Sequence, residues 1–115
     1  MRVLRIGPPR TVDRWASHGV EIGGVARYGA SDGTGVALAR FVPGSVLGRH
    51  PTRSWQLFAV VAGSGWVAGD DGERRPLAEG EAALWTPGEE HESGSEAGMT
   101  VCIVESAVDP TGSGQ

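Results

Sequence analysis

The chain has no lysine. Its 10 basic residues are all arginine, set against 14 aspartates and glutamates for a formal charge of -4. The arginines form no stripe, so neither nucleic acid nor an anionic membrane surface is an expected partner. Cysteine is nearly absent as well. Cys102 stands alone, which excludes an internal disulfide and a cysteine-based zinc cluster and suits a reducing, cytoplasmic setting. Long uncharged apolar runs are missing, and Met1 to Arg10 carries Arg2, Arg5 and Arg10 with no apolar stretch behind them. We therefore expect neither a signal peptide nor a membrane span. The last absence is helical periodicity: no segment sustains an apolar repeat over several turns.

What the chain does have is punctuation. Nineteen glycines and seven prolines in 115 residues cut it into short pieces, the mark of an all-β domain with strands joined by turns. Strands are expected at Val3 to Ile6, Val20 to Tyr28, Val36 to Val42, Gln56 to Ala62, Gly65 to Ala68, Arg74 to Leu77, Ala82 to Trp85 and Met99 to Glu105. Gly29 to Gly35 and Pro43-Gly44 read as loops and Gly63-Ser64-Gly65 as a tight reversal. Asp70-Asp71-Gly72 reads as a hairpin turn, because Asp-Gly supplies the backbone twist of a two-residue connection. Thr11 to Ser17 is either loop or one helical turn. One domain over residues 1–106 accounts for the chain. Residues 107–115, polar towards their end, are expected to be a disordered tail.

Alternate residues of a strand share a face. From His50 onward one parity holds His50, Thr52, Ser54, Gln56, Phe58 and Val60, polar first and apolar later. A barrel with a wet mouth and a dry base has that gradient. The second histidine, His91, follows Gly88 and is flanked by Glu89, Glu90 and Glu92. Two neutral imidazoles from distant segments can meet at such a mouth as donors to one divalent ion.

Gly44, His50, Thr52, Gln56 and Gly63 fall at the spacing of the first motif of the cupins, and Gly80, Pro87, Gly88, His91 and Ser95 follow the second with the proline displaced by one. The chain thus resembles a small single-domain cupin of the conserved β-barrel type, with its motif core at residues 44–95. The resemblance implies a double-stranded β-helix, or jelly-roll, barrel. It also implies a metal site in the barrel mouth, carried here onto His50, Gln56 and His91, holding a divalent transition metal (Fe, Mn, Ni, Zn or Cu). Cupins usually supply three histidines and a glutamate. This chain has Thr52 for one histidine and Gln56 for the glutamate, which removes one strong donor and the one anionic ligand. Glu89, Glu90 or Glu92 either restores a carboxylate or is a solvated turn charge.

Two functions follow. The first is a metal-dependent enzyme acting on a small organic molecule by dioxygenase, isomerase, cyclase or lyase chemistry, with His50 and His91 as catalytic residues. The second is a non-catalytic cupin that binds or senses a small ligand such as a sugar or metabolite. In either, Thr52, Phe41, Phe58, Val60 and Leu84 are expected around the pocket, and Gln56 either ligates or orients a histidine. Trp55, Trp66 and Trp85 read as core or interface aromatics and Cys102 as an inert buried thiol. His18 reads as a surface residue. Cupin resemblance also implies a homodimer, with Met1 to Tyr28 available to extend a partner's sheet.

Overall fold

The computed structural model describes residues 1–28 and 33–112, so most of the expected loop from Gly29 and the last residues of the expected tail lie outside the described residues. Among the described residues there is no helix. Eight strands form: β1 (Arg10–Thr11), β2 (His18–Tyr28), β3 (Thr34–Pro51), β4 (Trp55–Ala68), β5 (Arg75–Ala78), β6 (Ala82–Trp85), β7 (Glu90–Ser95) and β8 (Met99–Ser106). All pairings are antiparallel.

Two long strands organise the barrel. β3 pairs with β2 and β8 through Gly35 to Phe41, then with β7 from Ser45 onward. β4 does the same: Trp55 to Gly63 pairs with β8, and Trp66 to Ala68 with β7. The path β3, β8, β4, β7 and back to β3 closes on itself, giving the jelly-roll barrel expected from the sequence. Closure leaves the central strands no free edge.

Each long strand changes partner at a glycine. Gly44 has φ +78 and Gly63 φ +79, left-handed values that glycine adopts at little cost. The expected loop at Pro43-Gly44 and reversal at Gly63-Ser64-Gly65 are therefore kinks within continuous strands. A bend of the ladder, not a break in it, carries the chain from β8 to β7. At Gly63 a side chain would also run into the Gly98 carbonyl.

Two other expectations are corrected, and the open choice at segment 11–17 falls to loop. Val3 to Ile6 forms no strand, because Pro8 and Pro9 have no amide hydrogen with which to continue a ladder back from β1; ahead of them Gly7 N donates to Gly24 O of β2, at 2.7 Å. β7 is a strand that apolar alternation does not signal. Its inward residues His91, Ser93 and Ser95 are polar yet buried, and pairing with β3 on one side and β4 on the other imposes extended backbone. Segment 11–17 makes no helical turn. Ser17 N donates to Arg14 O (3.0 Å) across Trp15 and Ala16, which sit at φ 57 and 55 in a left-handed turn. The Asp70-Asp71-Gly72 turn is present, with Gly72 N donating to Gly69 O.

The core fills the barrel between Phe41, Phe58, Val60, Val101 and Ile103, with Trp85 and Met99 beside them. Burial of each such side chain contributes roughly 1.5–3 kcal/mol. Cys102 lies on the opposite face of β8, half-buried and free.

Candidate functional site

The register of β3 against β7 sets His50 directly opposite His91. Their Nε2 atoms are 2.9 Å apart. His50 Nδ1 lies 2.7 Å from the Gly48 carbonyl, an acceptor, so Nδ1 carries the proton and His50 Nε2 is left as a lone pair. The hydrogen between the rings therefore belongs to His91, whose Nε2 donates to His50. Burial, and then the neighbouring His50, push the His91 pKa down to about 3. Burial also lowers His50, opposed by its bond to Gly48 and by the charges of Glu90 and Glu105. Both rings are neutral at neutral pH.

These rings are two links in an aromatic column. Phe41 meets Phe58 edge to face (5.9 Å), Phe58 meets Trp85 (5.4 Å), and Trp85 meets His91 at 4.4 Å and 81°. His91 leads to His50, and His50 is stacked under Trp15 with centroids 3.8 Å apart and planes 8° from parallel. The column runs from the dry base to the rim, with the imidazole pair as its polar step.

Trp15 is the contact that sequence reasoning missed. It sits in a polar stretch with no neighbouring apolar pattern, and what holds it comes from β3. A side chain at Gly48 would collide with the Trp15 backbone oxygen, so the close approach requires glycine there, and Gly48 N donates to Ser17 Oγ (2.9 Å). The Arg14 guanidinium lies 4.4 Å from the Trp15 ring centroid.

The remaining predicted residues have distinct places. Thr52 is buried and ties the two motif segments together: its Oγ1 and N both donate to Glu89 O (2.7 and 2.9 Å), and Gly88 N donates to Thr52 O. Gln56 shares the inward face of Phe58 and Val60 and is in register with Trp85 and Glu105. Phe41 and Val60 lie deep in the core. Leu84 alternates with buried Trp85 and lines a separate cavity of about 420 Å³ with Gly69, Asp70 and Glu89. Glu89 Oε1 accepts from Thr86 N, while Glu90 and Glu92 alternate with inward His91. Among the described residues no three of His, Cys, Asp and Glu gather as a metal-holding group. The residues the motifs offer a transition-metal ion are two neutral imidazoles, the neutral amide of Gln56 and the Thr52 hydroxyl, with no carboxylate or thiolate, a set that does not fit tight binding.

Beside Trp15 a cavity of about 690 Å³ opens between segment Arg10 to Trp15 and the inner faces of β2, β3 and β8, where Ile22, Ala37 and Ile103 line it. That volume suits a small organic ligand.

The family model of the AraC-like ligand binding domain matches residues 36–106, more than half of the chain. No curated protein matches the sequence significantly. Among solved structures the chain is similar to a predicted oxalate decarboxylase from Thermotoga maritima (TM-score 0.77, 19% identity, 93% of this chain and 100% of that one). It is also similar to the polyketide cyclase RemF from Streptomyces resistomycificus (TM-score 0.77, 17% identity, 96% and 82%). An RmlC-like cupin from Shewanella frigidimarina aligns with TM-score 0.69 at 17% identity over 88% and 93% of the two chains. At these identities the likeness is one of fold, the cupin barrel.

Proposed function

Because the chain belongs to the AraC-like ligand binding domain family, on a cupin barrel, we propose that it is a binding module that takes a small organic molecule into the barrel mouth without metal chemistry. The observation that carries this reading is the His50–His91 pair, satisfied ring to ring at 2.9 Å with Trp15 stacked over it. Parted by a ligand, the pair offers a donor on His91 and an acceptor on His50 side by side, the complement of a hydroxyl group. Gln56 adds an amide that can turn either end to the ligand.

A second reading, the metal-dependent enzyme, draws on the same distance. Two ligands at right angles, each about 2.1 Å from an ion, stand ~3.0 Å apart. It needs a third donor, and Gln56 is the residue on the inward face for it.

Elemental analysis of untagged protein separates the two. A binding module carries no stoichiometric metal and gains melting temperature from members of a metabolite library, with no turnover. One equivalent of metal, lost in His91→Ala, overturns this reading. Gln56→Glu supplies the missing carboxylate, so that variant is expected to gain zinc or iron affinity over wild type.

We also propose a homodimer. Val3, Leu4 and Ile6 stand 88%, 71% and 52% exposed ahead of β1 at the sheet edge. Light scattering showing a monomer at micromolar concentration would overturn it.

A further inference from the structure

The cavity beside Trp15 differs in charge from the chain that encloses it. The protein as a whole is acidic, with a formal charge of -4. Yet Arg10, Arg14 and Arg53 line this cavity against two carboxylates, Asp13 and Glu105. Arg75 pairs with Asp71 on another part of the surface. Among the described residues no salt bridge joins Arg10, Arg14 or Arg53 to a carboxylate, and the Arg14 guanidinium lies over the Trp15 ring at the cavity wall. The opposite wall is apolar: Ile22 and Ile103 belong to or pack against the core, and Ala37 lies between them.

We propose that this cavity binds a small organic anion, a carboxylate or phosphate ester on a planar or apolar body. This goes beyond the reading above, because the cavity lies on the other side of Trp15 from the imidazole pair and is lined by neither His50 nor His91. The guanidinium fork matches a carboxylate or phosphate with two parallel hydrogen bonds, which a lysine ammonium cannot do, and this chain draws its positive charge from arginine alone. The anionic head lies among Arg10, Arg14 and Arg53 at the wet side. The body lies along Ile22, Ala37 and Ile103 beside Trp15, whose two faces already carry His50 and Arg14, so Trp15 offers it a ring edge. Glu105, exposed near the end of β8, repels a second anionic group on its side of the cavity and favours a hydroxyl or amine there. A monoanion is therefore preferred over a dicarboxylate.

The test is calorimetric titration of the full chain with benzoate and 2-naphthoate, with their neutral amides, and with phenyl phosphate, at low and high salt. Both carboxylates are expected to bind more tightly than the amides, with affinity falling as salt rises. Arg14→Gln and Arg53→Gln are each expected to weaken carboxylate binding about three- to five-fold while leaving amide binding and melting temperature unchanged. Arg14→Lys keeps part of that affinity. Tighter binding of phenyl phosphate than of benzoate assigns the head group to a phosphate ester, and the reverse to a carboxylate; each supports the proposal. Equal binding of amide and carboxylate, or unchanged carboxylate affinity in both arginine variants, overturns the anion while leaving the ligand-binding reading intact. If none of these probes binds, the proposal fails and that reading is decided by the wider library above.

Discussion

His50 and His91 face each other across one register position, yet they are held in opposite ways. His91 is 4% exposed, on a strand paired on both edges, with Trp85 and the core behind it. His50 is half-buried at the rim and covered by Trp15, from a segment outside the barrel ring. One imidazole is fixed by the core and the other by a cover. The inner half of the site should therefore be inseparable from stability, while the outer half can change with little cost to the fold.

The largest effect expected is at the inner tryptophan. Trp85→Ala removes an almost fully buried indole that touches both Phe58 and His91, and should cost about 3–5 kcal/mol in urea unfolding. A loss below ~1 kcal/mol would break the comparison at its inner side.

Acid comes next. The folded pKa of His91, about 3, lies below the unfolded value of 6.5, so between those pH values the unfolded chain binds a proton that the native chain refuses. Stability is then fully present above pH 6.5 and is lost as pH falls towards 3, by roughly 1.4 kcal/mol for each unit of the gap traversed. His50 adds in the same direction. Denaturant midpoints from neutral to acid pH should fall in wild type and flatten in His91→Asn; parallel curves would exclude His91 as the source.

Thr52→Val should cost about 1 kcal/mol, because the hydroxyl bond to Glu89 is lost while the backbone bond to the same carbonyl stays. A neutral result would show that the backbone clamp suffices. Trp15→Ala should have the smallest effect on stability, within about 1 kcal/mol for a part-exposed side chain. Its signature lies elsewhere: with the cover gone, the His50 pKa should rise towards its ordinary value in an NMR titration, and a His50 pKa that stays where it is would break the comparison at its outer side.

Much of the barrel could be read from the sequence because its glycines mark backbone needs that other residues meet poorly. Gly44, Gly63 and Gly88 all lie at positive φ, and the two histidines they frame do meet. What the glycines do not say is whether the chain stops or bends, so two kinks read as breaks. β7 was hidden because its inward face is His91, Ser93 and Ser95, and apolar alternation is blind to a polar strand held by both neighbours. Trp15 was hidden for another reason. Its partner lies on β3, and the residue that admits it, Gly48, fits within the strand pattern. A contact made by the absence of a side chain leaves little trace in a linear text.

The closed ring has a kinetic consequence. β3 and β4 each give one half of their length to β8, with Gly35 opposite Glu105 and Trp55 opposite Ser106, so the barrel closes only with a strand distant in sequence from its partners. The loop-closure entropy is spent before those contacts return anything, which predicts slow folding for a chain this short. On the ribosome, β3 and β4 emerge before β8, with their apolar faces uncovered until Met99 to Ser106 arrives to close the barrel.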